Sequence, residues 1–140
     1  MKKVDVSERL IKQVIEDRRY LHQHPELSGE EFETSKYIRN RLEALNIDLL
    51  DFQAPSVVGF VKGSKGNKTI ALRADIDALP ITEEGEKSYI SKTPGVAHMC
   101  GHDGHTAVLL AVADWLSREG NEVEPNIVLI FQSAEEITPS

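Results

Sequence analysis

A chain of 140 residues, 40% hydrophobic and 28% charged, with only 6 prolines and 9 glycines, has the make-up of a folded globular domain and not of a disordered or fibrous protein. Its 16 basic residues against 23 acidic ones give a net charge of -7, which excludes a nucleic-acid backbone or an anionic membrane surface as the main partner. One cysteine makes no internal disulfide, the start Met1-Lys2-Lys3-Val4-Asp5 lacks an apolar signal core, and no apolar run approaches the ~20 residues of a membrane span, so a soluble, cytoplasmic protein is expected.

Leu10, Ile11, Val14, Ile15 and Leu21 recur at helical spacing among charges, which predicts an amphipathic helix over residues 7 to about 22, ended by Pro25. Ser28-Gly29-Glu30-Glu31 has the spacing of a capping box and opens a second helix running to about residue 45. Beyond Asn46 the pattern changes to short runs rich in Val, Ile, Leu and Phe. They predict strands at 47–52, 57–61, 69–74 and 127–131, with a tight turn at 63–67. Between the last two strands Asp103 is placed to cap a helix whose apolar side includes Ala107, Leu110, Ala113, Trp115 and Leu116, with Gly120 as its stop. This order predicts an α/β fold, a layered mixed sheet flanked by helices. Its strands at 69–74 and 127–131 read as central, apolar on both faces. No composition break divides residues 1–140.

Two acidic pairs follow buried strands directly: Asp75 and Asp77 after the third, Glu135 and Glu136 after the fourth. Open α/β sheets place their sites at such carboxyl ends. Four carboxylates converging there need cations or protons to offset the charge, and a metal ion is the economical answer. Cys100 and His102 alternate along a glycine-flanked segment with His105 one turn on, adding thiolate and imidazole donors that suit zinc, or manganese, cobalt or nickel where oxygen ligands dominate. Of two adjacent glutamates, one can bind metal while the other reaches the metal-bound water, a division of labour suited to hydrolysis of an unactivated carbonyl.

Each feature taken singly has a plainer explanation. Glu135-Glu136 reads as a solvated loop, Asp75 and Asp77 as turn residues before Pro80, and Cys100 as a small buried hydrophobe. His22 and His24 read as structural residues at a helix end. For Arg73 an ion pair with Asp75 or Asp103 and a substrate role are both open.

Together, Leu72-Arg73-Ala74-Asp75-Ile76-Asp77-Ala78-Leu79-Pro80, His98-Met99-Cys100-Gly101-His102-Asp103-Gly104-His105 and Phe131-Gln132-Ser133-Ala134-Glu135-Glu136 resemble the amidohydrolase branch of the aminoacylase and carboxypeptidase type metallopeptidases. That branch includes N-acyl-amino-acid amidohydrolases, hippurate hydrolases and indole-acetyl-amino-acid hydrolases. The likeness extends back through Arg19-Tyr20-Leu21-His22-Gln23-His24-Pro25-Glu26-Leu27-Ser28 and Glu31, and so covers nearly the whole chain.

The resemblance implies that Cys100, His102 and Glu136 are metal ligands, Glu135 is the general base, and Asp77 orients the histidine or supports the base. Asp75 lies where relatives outside this branch carry a metal-binding histidine, and Ser133 stands where proline is common. It further implies one or two divalent ions, zinc or manganese, in a zinc-peptidase-like catalytic domain, and cleavage of the amide bond of a small-molecule N-acyl amino acid. Family members are longer and often homodimers or homo-oligomers. Residues 1–140 are therefore expected to be the N-terminal portion of the catalytic domain, with a lid and dimerisation domain and the C-terminal part outside them, and to be inactive alone. The alternative is a non-catalytic remnant that only binds metal or a partner chain.

Overall fold

The computed structural model describes residues 6–118 and 122–137. The first helix, α1 (Glu8–Gln23), starts where expected: the Ser7 hydroxyl accepts the Leu10 amide at 3.3 Å and Leu10 and Leu21 are buried. Its one buried acid, Asp17, accepts the Tyr37 hydroxyl at 2.6 Å and Arg41 at 3.2 Å, both from α2 (Phe32–Ala44).

The capping box expected at the start of α2 does not form. Ser28 turns its hydroxyl to Asp77 at 2.7 Å, and the helix is capped by Glu26, whose carboxylate accepts the amides of Glu33 at 3.0 Å and Thr34 at 2.7 Å. A carboxylate suits a helix N-terminus better than a neutral hydroxyl, and a buried Asp77 requires donors.

Strands β1 (Asp48–Leu50), β2 (Val57–Val61), β3 (Thr69–Asp75) and β4 (Asn126–Gln132) form one mixed sheet in the order β1-β2-β4-β3. Only β3 and β4 run parallel, with Thr69 opposite Asn126 and Asp75 opposite Gln132. The α/β class and the mixed sheet agree with the expectation; the placement of β3 does not. Among the described residues β3 is an edge strand with Ile70 49% exposed, because its second edge has no described neighbour. The strand β4 is central yet alternates: Ile127, Leu129 and Phe131 enter the core with Ile38 and Leu42 of α2 and Leu109, Leu110 and Ala113 of α3 (His102–Leu116), while Val128 and Ile130 are half-buried. Helix α1 packs on α3 as an outer layer.

The turn before β3 is fixed by a close approach. Gly63 donates its amide to the Asn126 side chain at 3.0 Å, and a Cβ there would run into the Pro125 carbonyl. Asp103 is not the cap of α3. That position falls to Gly101 in a left-handed conformation, φ 83°, and Asp103 lies buried in the first turn. The helix is followed by Ser117; Gly120 lies outside the described residues. No helix among the described residues is long and apolar enough to cross a membrane.

Candidate metal centre

Parallel pairing of β3 and β4 sets the two acidic pairs side by side, and the ladder continues one step past the strands where the Ile76 amide donates to the Gln132 carbonyl at 2.9 Å. The start of α3 is tied to the same edge by the Thr106 hydroxyl, which donates to the Asp75 carbonyl at 3.1 Å. Residues far apart in the chain therefore meet at the carboxyl ends of two neighbouring strands.

At the centre is His102, 5% exposed. Its Nδ1 lies 3.1 Å from Asp77 Oδ1 and 3.0 Å from the Asp77 carbonyl. Both are acceptors, so Nδ1 carries the proton and Nε2 presents its lone pair. That nitrogen faces Glu136 at 3.8 Å and Glu135 at 3.9 Å. The second oxygen of Asp77 accepts the Ser28 hydroxyl at 2.7 Å and the Glu136 amide at 2.9 Å, so one buried carboxylate fixes the histidine, the glutamate loop and the segment before α2.

The geometry brings Cys100, His102 and Glu136 together with one donor atom each within 4.8 Å of one another, and Asp75, His102 and Glu135 in the same way. Cys100 is exposed, and the hydrogen bond and negative charge of Glu136 push its thiol above the ordinary range. A thiol, an imidazole lone pair and carboxylates collected around one point fit a divalent cation, whose charge would reverse that shift. His105 is exposed at the helix start, its ring 5.8 Å from that of His102. Of the two roles open to Arg73, the structure shows the ion pair, with Asp75 at 2.7 Å.

The peptide preceding the glutamates is bent. Ala134 has φ 55°, and its amide donates to Glu31 at 2.7 Å, a carboxylate with no exposed surface. Ser133 is more than a neutral exchange for proline, because its amide donates to the Ser56 hydroxyl at 3.0 Å and proline has no such donor. Sequence reasoning missed Glu31 and Glu83 as support. Glu31 stood inside a supposed capping box, and Glu83 lies in an acidic loop with no periodicity.

His24 does as expected of a helix-end residue, its ring 2.7 Å from the Tyr20 carbonyl. His22 is buried between two carboxylates, Asp103 at 2.7 Å and Glu83 at 2.8 Å. His98, also buried, has no hydrogen-bond partner at either nitrogen.

Two predictions arise here. Gly101→Ala meets no neighbour within 4 Å, so its cost is conformational, about 1–2 kcal/mol from the left-handed backbone, read as a lower urea midpoint. The second concerns acid. Burial lowers His98 from 6.5 to about 4, so the unfolded chain takes up that proton first and stability falls as pH drops through this window. Burial pushes Glu83 up, but hydrogen bonds from His22, the Ser91 amide and Lys87 outweigh it and bring the carboxyl from 4.5 to about 2. Its contribution is complete above 4.5 and is lost as pH falls towards 2. The urea midpoint should therefore decline from about pH 6.5 downwards, and a profile flat from 6.5 to 2 contradicts both assignments.

Comparison with known proteins places the chain among metal-binding hydrolases. Over 128 residues the chain is 44% identical to the Bacillus subtilis (strain 168) protein named "Putative amidohydrolase YhaA", covering 91% of this chain and 32% of that protein. The crystal structure of Bacillus subtilis YXEP, described as a dinuclear metal binding peptidase from the M20 family, superposes with a TM-score of 0.87 at 43% identity, over 94% of this chain and 37% of that one. The crystal structure of a protein described as "a putative aminohydrolase" from methicillin-resistant Staphylococcus aureus gives 0.87 at 42% identity, over 95% and 36%. The chain thus spans about a third of the length of the curated relatives it matches. Residues 71–140, which hold both acidic pairs and the Cys100–His102 segment, match the family described as peptidase family M20/M25/M40, and the chain belongs to that family.

Proposed function

We propose that this chain supplies metal-binding and proton-transfer groups of a metal-dependent hydrolase that cleaves the amide bond of N-acyl amino acids. The observation that carries the reading is His102, with Nδ1 locked on Asp77 and Nε2 turned to Glu135 and Glu136. Nε2 has one lone pair and serves one ion. Cys100, His102 and Glu136 form the set that contains the soft donor, which suits zinc, or manganese where oxygen ligands added from elsewhere dominate. A divalent cation held there polarises a carbonyl oxygen and lowers the pKa of bound water towards ~7.

Glu135 then remains for the proton. Its side chain is 38% exposed and so open to substrate, and it stands beside the imidazole on the side away from Asp77. In this role Glu135 takes a proton from the attacking water and delivers it to the leaving amine, while Asp77 keeps His102 in one tautomer and orientation. A hollow of about 290 Å³ lined by Leu27, Ala78, Leu79, Pro80 and Ile137 opens beside Glu136 and offers an apolar resting place for an acyl group. The naming of YhaA as a "Putative amidohydrolase" supports the same reaction class. The chain's 32% share of its curated relatives' length supports reading these residues as the N-terminal portion of the catalytic domain of a longer protein, with a lid and dimerisation domain in the remainder.

The test is metal analysis of this chain beside its Cys100→Ser variant, together with turnover of hippurate and N-acetyl amino acids by a protein of the relatives' full length. Metal retained by the parent, lost in Cys100→Ser, and acid released from these substrates are the expected results. Metal binding unchanged by Cys100→Ser overturns the ligand set, and a metal-loaded full-length protein inert on every N-acyl amino acid overturns the substrate class.

A further inference from the structure

Between α1 and the start of α3 lies a polar cluster that the proposed reaction does not use. His22 is 2% exposed; its Nδ1 is 2.7 Å from Asp103, whose side chain is 1% exposed, and its Nε2 is 2.8 Å from Glu83, 2% exposed. Each ring nitrogen meets a carboxylate oxygen, so the ring bridges the two acidic side chains. Arg18 adds a bond to Asp103 at 2.8 Å and Lys87 one to Glu83 at 3.0 Å. Two buried carboxylates are thus surrounded by cationic groups, an arrangement that is costly to assemble and strongly disrupted when one member is removed.

What the cluster connects gives it a purpose. Asp103 is the residue after His102, in the first turn of α3. Glu83 belongs to the long connection between β3 and α3 that ends in Cys100, and its other oxygen accepts the Ser91 amide at 2.8 Å. Tyr89 of the same connection meets the His22 ring edge-on at 5.6 Å. This connection contains no helix or strand of its own. Isolated bridges of Leu79 with Ala97 and of Ala78 with Leu27 pin its two ends, and the stretch between them is anchored on α1, where His22 meets Glu83 and the Gln23 carbonyl accepts the Lys92 amide at 2.9 Å.

We infer that His22 is a positioning residue for Cys100 and His102, tethering the ligand-bearing loop through Glu83 and the first turn of α3 through Asp103 to helix α1. The inference rests on the reading of Cys100 and His102 as ligands. Its chemistry is that of outer hydrogen bonds that hold metal ligands at their working angle, whose loss typically weakens metal binding about 10–100-fold.

The test compares His22→Gln with Asp17→Asn in the same chain. Asp17 is equally buried on α1 and cross-links α1 to α2, away from the loop, so its variant reports the general cost of cutting a buried bond on that helix. Cobalt(II) titration followed by thiolate-to-metal absorption reads the site, and amide hydrogen exchange at Ser91 and at His105, which donates to the Gly101 carbonyl at 3.0 Å, reads the two tethers. At matched stability, His22→Gln should bind cobalt about tenfold more weakly than Asp17→Asn, and exchange both amides on the order of tenfold faster.

Equal cobalt affinity and equal protection in the two variants would overturn the role. A parent chain with no cobalt–thiolate absorption overturns the ligand assignment instead, and the amide comparison then decides the positioning by itself. Should His22→Gln fail to fold, Glu83→Gln cuts the same tether at its loop end and carries the same expectation for cobalt and for Ser91.

Discussion

Replacing Glu135 by Gln is expected to lower kcat of the full-length protein on N-acyl amino acids by about 10²–10⁴, the usual contribution of a positioned general base. The amide keeps the size of the side chain and its hydrogen-bonding capacity but accepts no proton at neutral pH, so the loss isolates proton transfer from packing. Two further readouts follow from the geometry. Metal content should be unchanged, because the set containing the thiol, Cys100, His102 and Glu136, does not include Glu135. KM should also change little, since the lost interaction belongs to the transition state. If metal is lost together with activity, the second cluster of Asp75, His102 and Glu135 is the binding set and the base lies elsewhere.

Asp77→Asn should have the second-largest effect, and its cause differs. The carboxylate accepts on both oxygens: the His102 Nδ1 proton at one, the Ser28 hydroxyl and the Glu136 amide at the other. An asparagine oxygen can replace one of these faces, but its NH₂ then meets a donor on the other. The serine hydroxyl can rotate to accept; the Glu136 amide cannot. Either the histidine or the glutamate loop is released. Metal affinity should fall about 10–100-fold and the chain should lose about 1–3 kcal/mol of stability from the unpaired buried donor. Equilibrium dialysis and urea unfolding measure the two separately, and an Asp77→Asn chain that binds metal as the parent does would remove Asp77 from the support of His102.

The donors of this site were legible because they lie in short, chemically unusual strings: a cysteine and two histidines among glycines, and acids just beyond apolar strands. Helical spacing in α1, short runs of Val, Ile, Leu and Phe in the strands and the apolar side of α3 likewise located these elements among the described residues to within a few positions, while α2 was located from a capping box that does not form. What was not legible depends on partners distant in sequence. Ser28 reads as a helix cap until Asp77 competes for its hydroxyl from 49 residues away, and the prediction fails because a buried carboxylate is the stronger claimant. Asp103 reads as a cap for the same local reason and is taken by Arg18 and His22, 85 and 81 residues distant. The strand β3 reads as central because Ile70, Ala71 and Leu72 are apolar; apolarity records that a strand is suited to burial, while its place in the sheet is set by pairing.

The exposed thiol at Cys100 means that the chain carries its own reporter. It is the sole cysteine in 140 residues, so a maleimide or haloacetamide label has one address, and the label competes with any ion for the same sulfur. Labelling rate of the purified chain would therefore read occupancy, and a series of metals added before the label would rank them by protection. The same exposure opens the sulfur to oxidants, but the carboxylate of Glu136 keeps it in the less reactive thiol form when no metal is bound, and only its loss to oxidation would remove the soft donor that distinguishes the site from an ordinary cluster of acids.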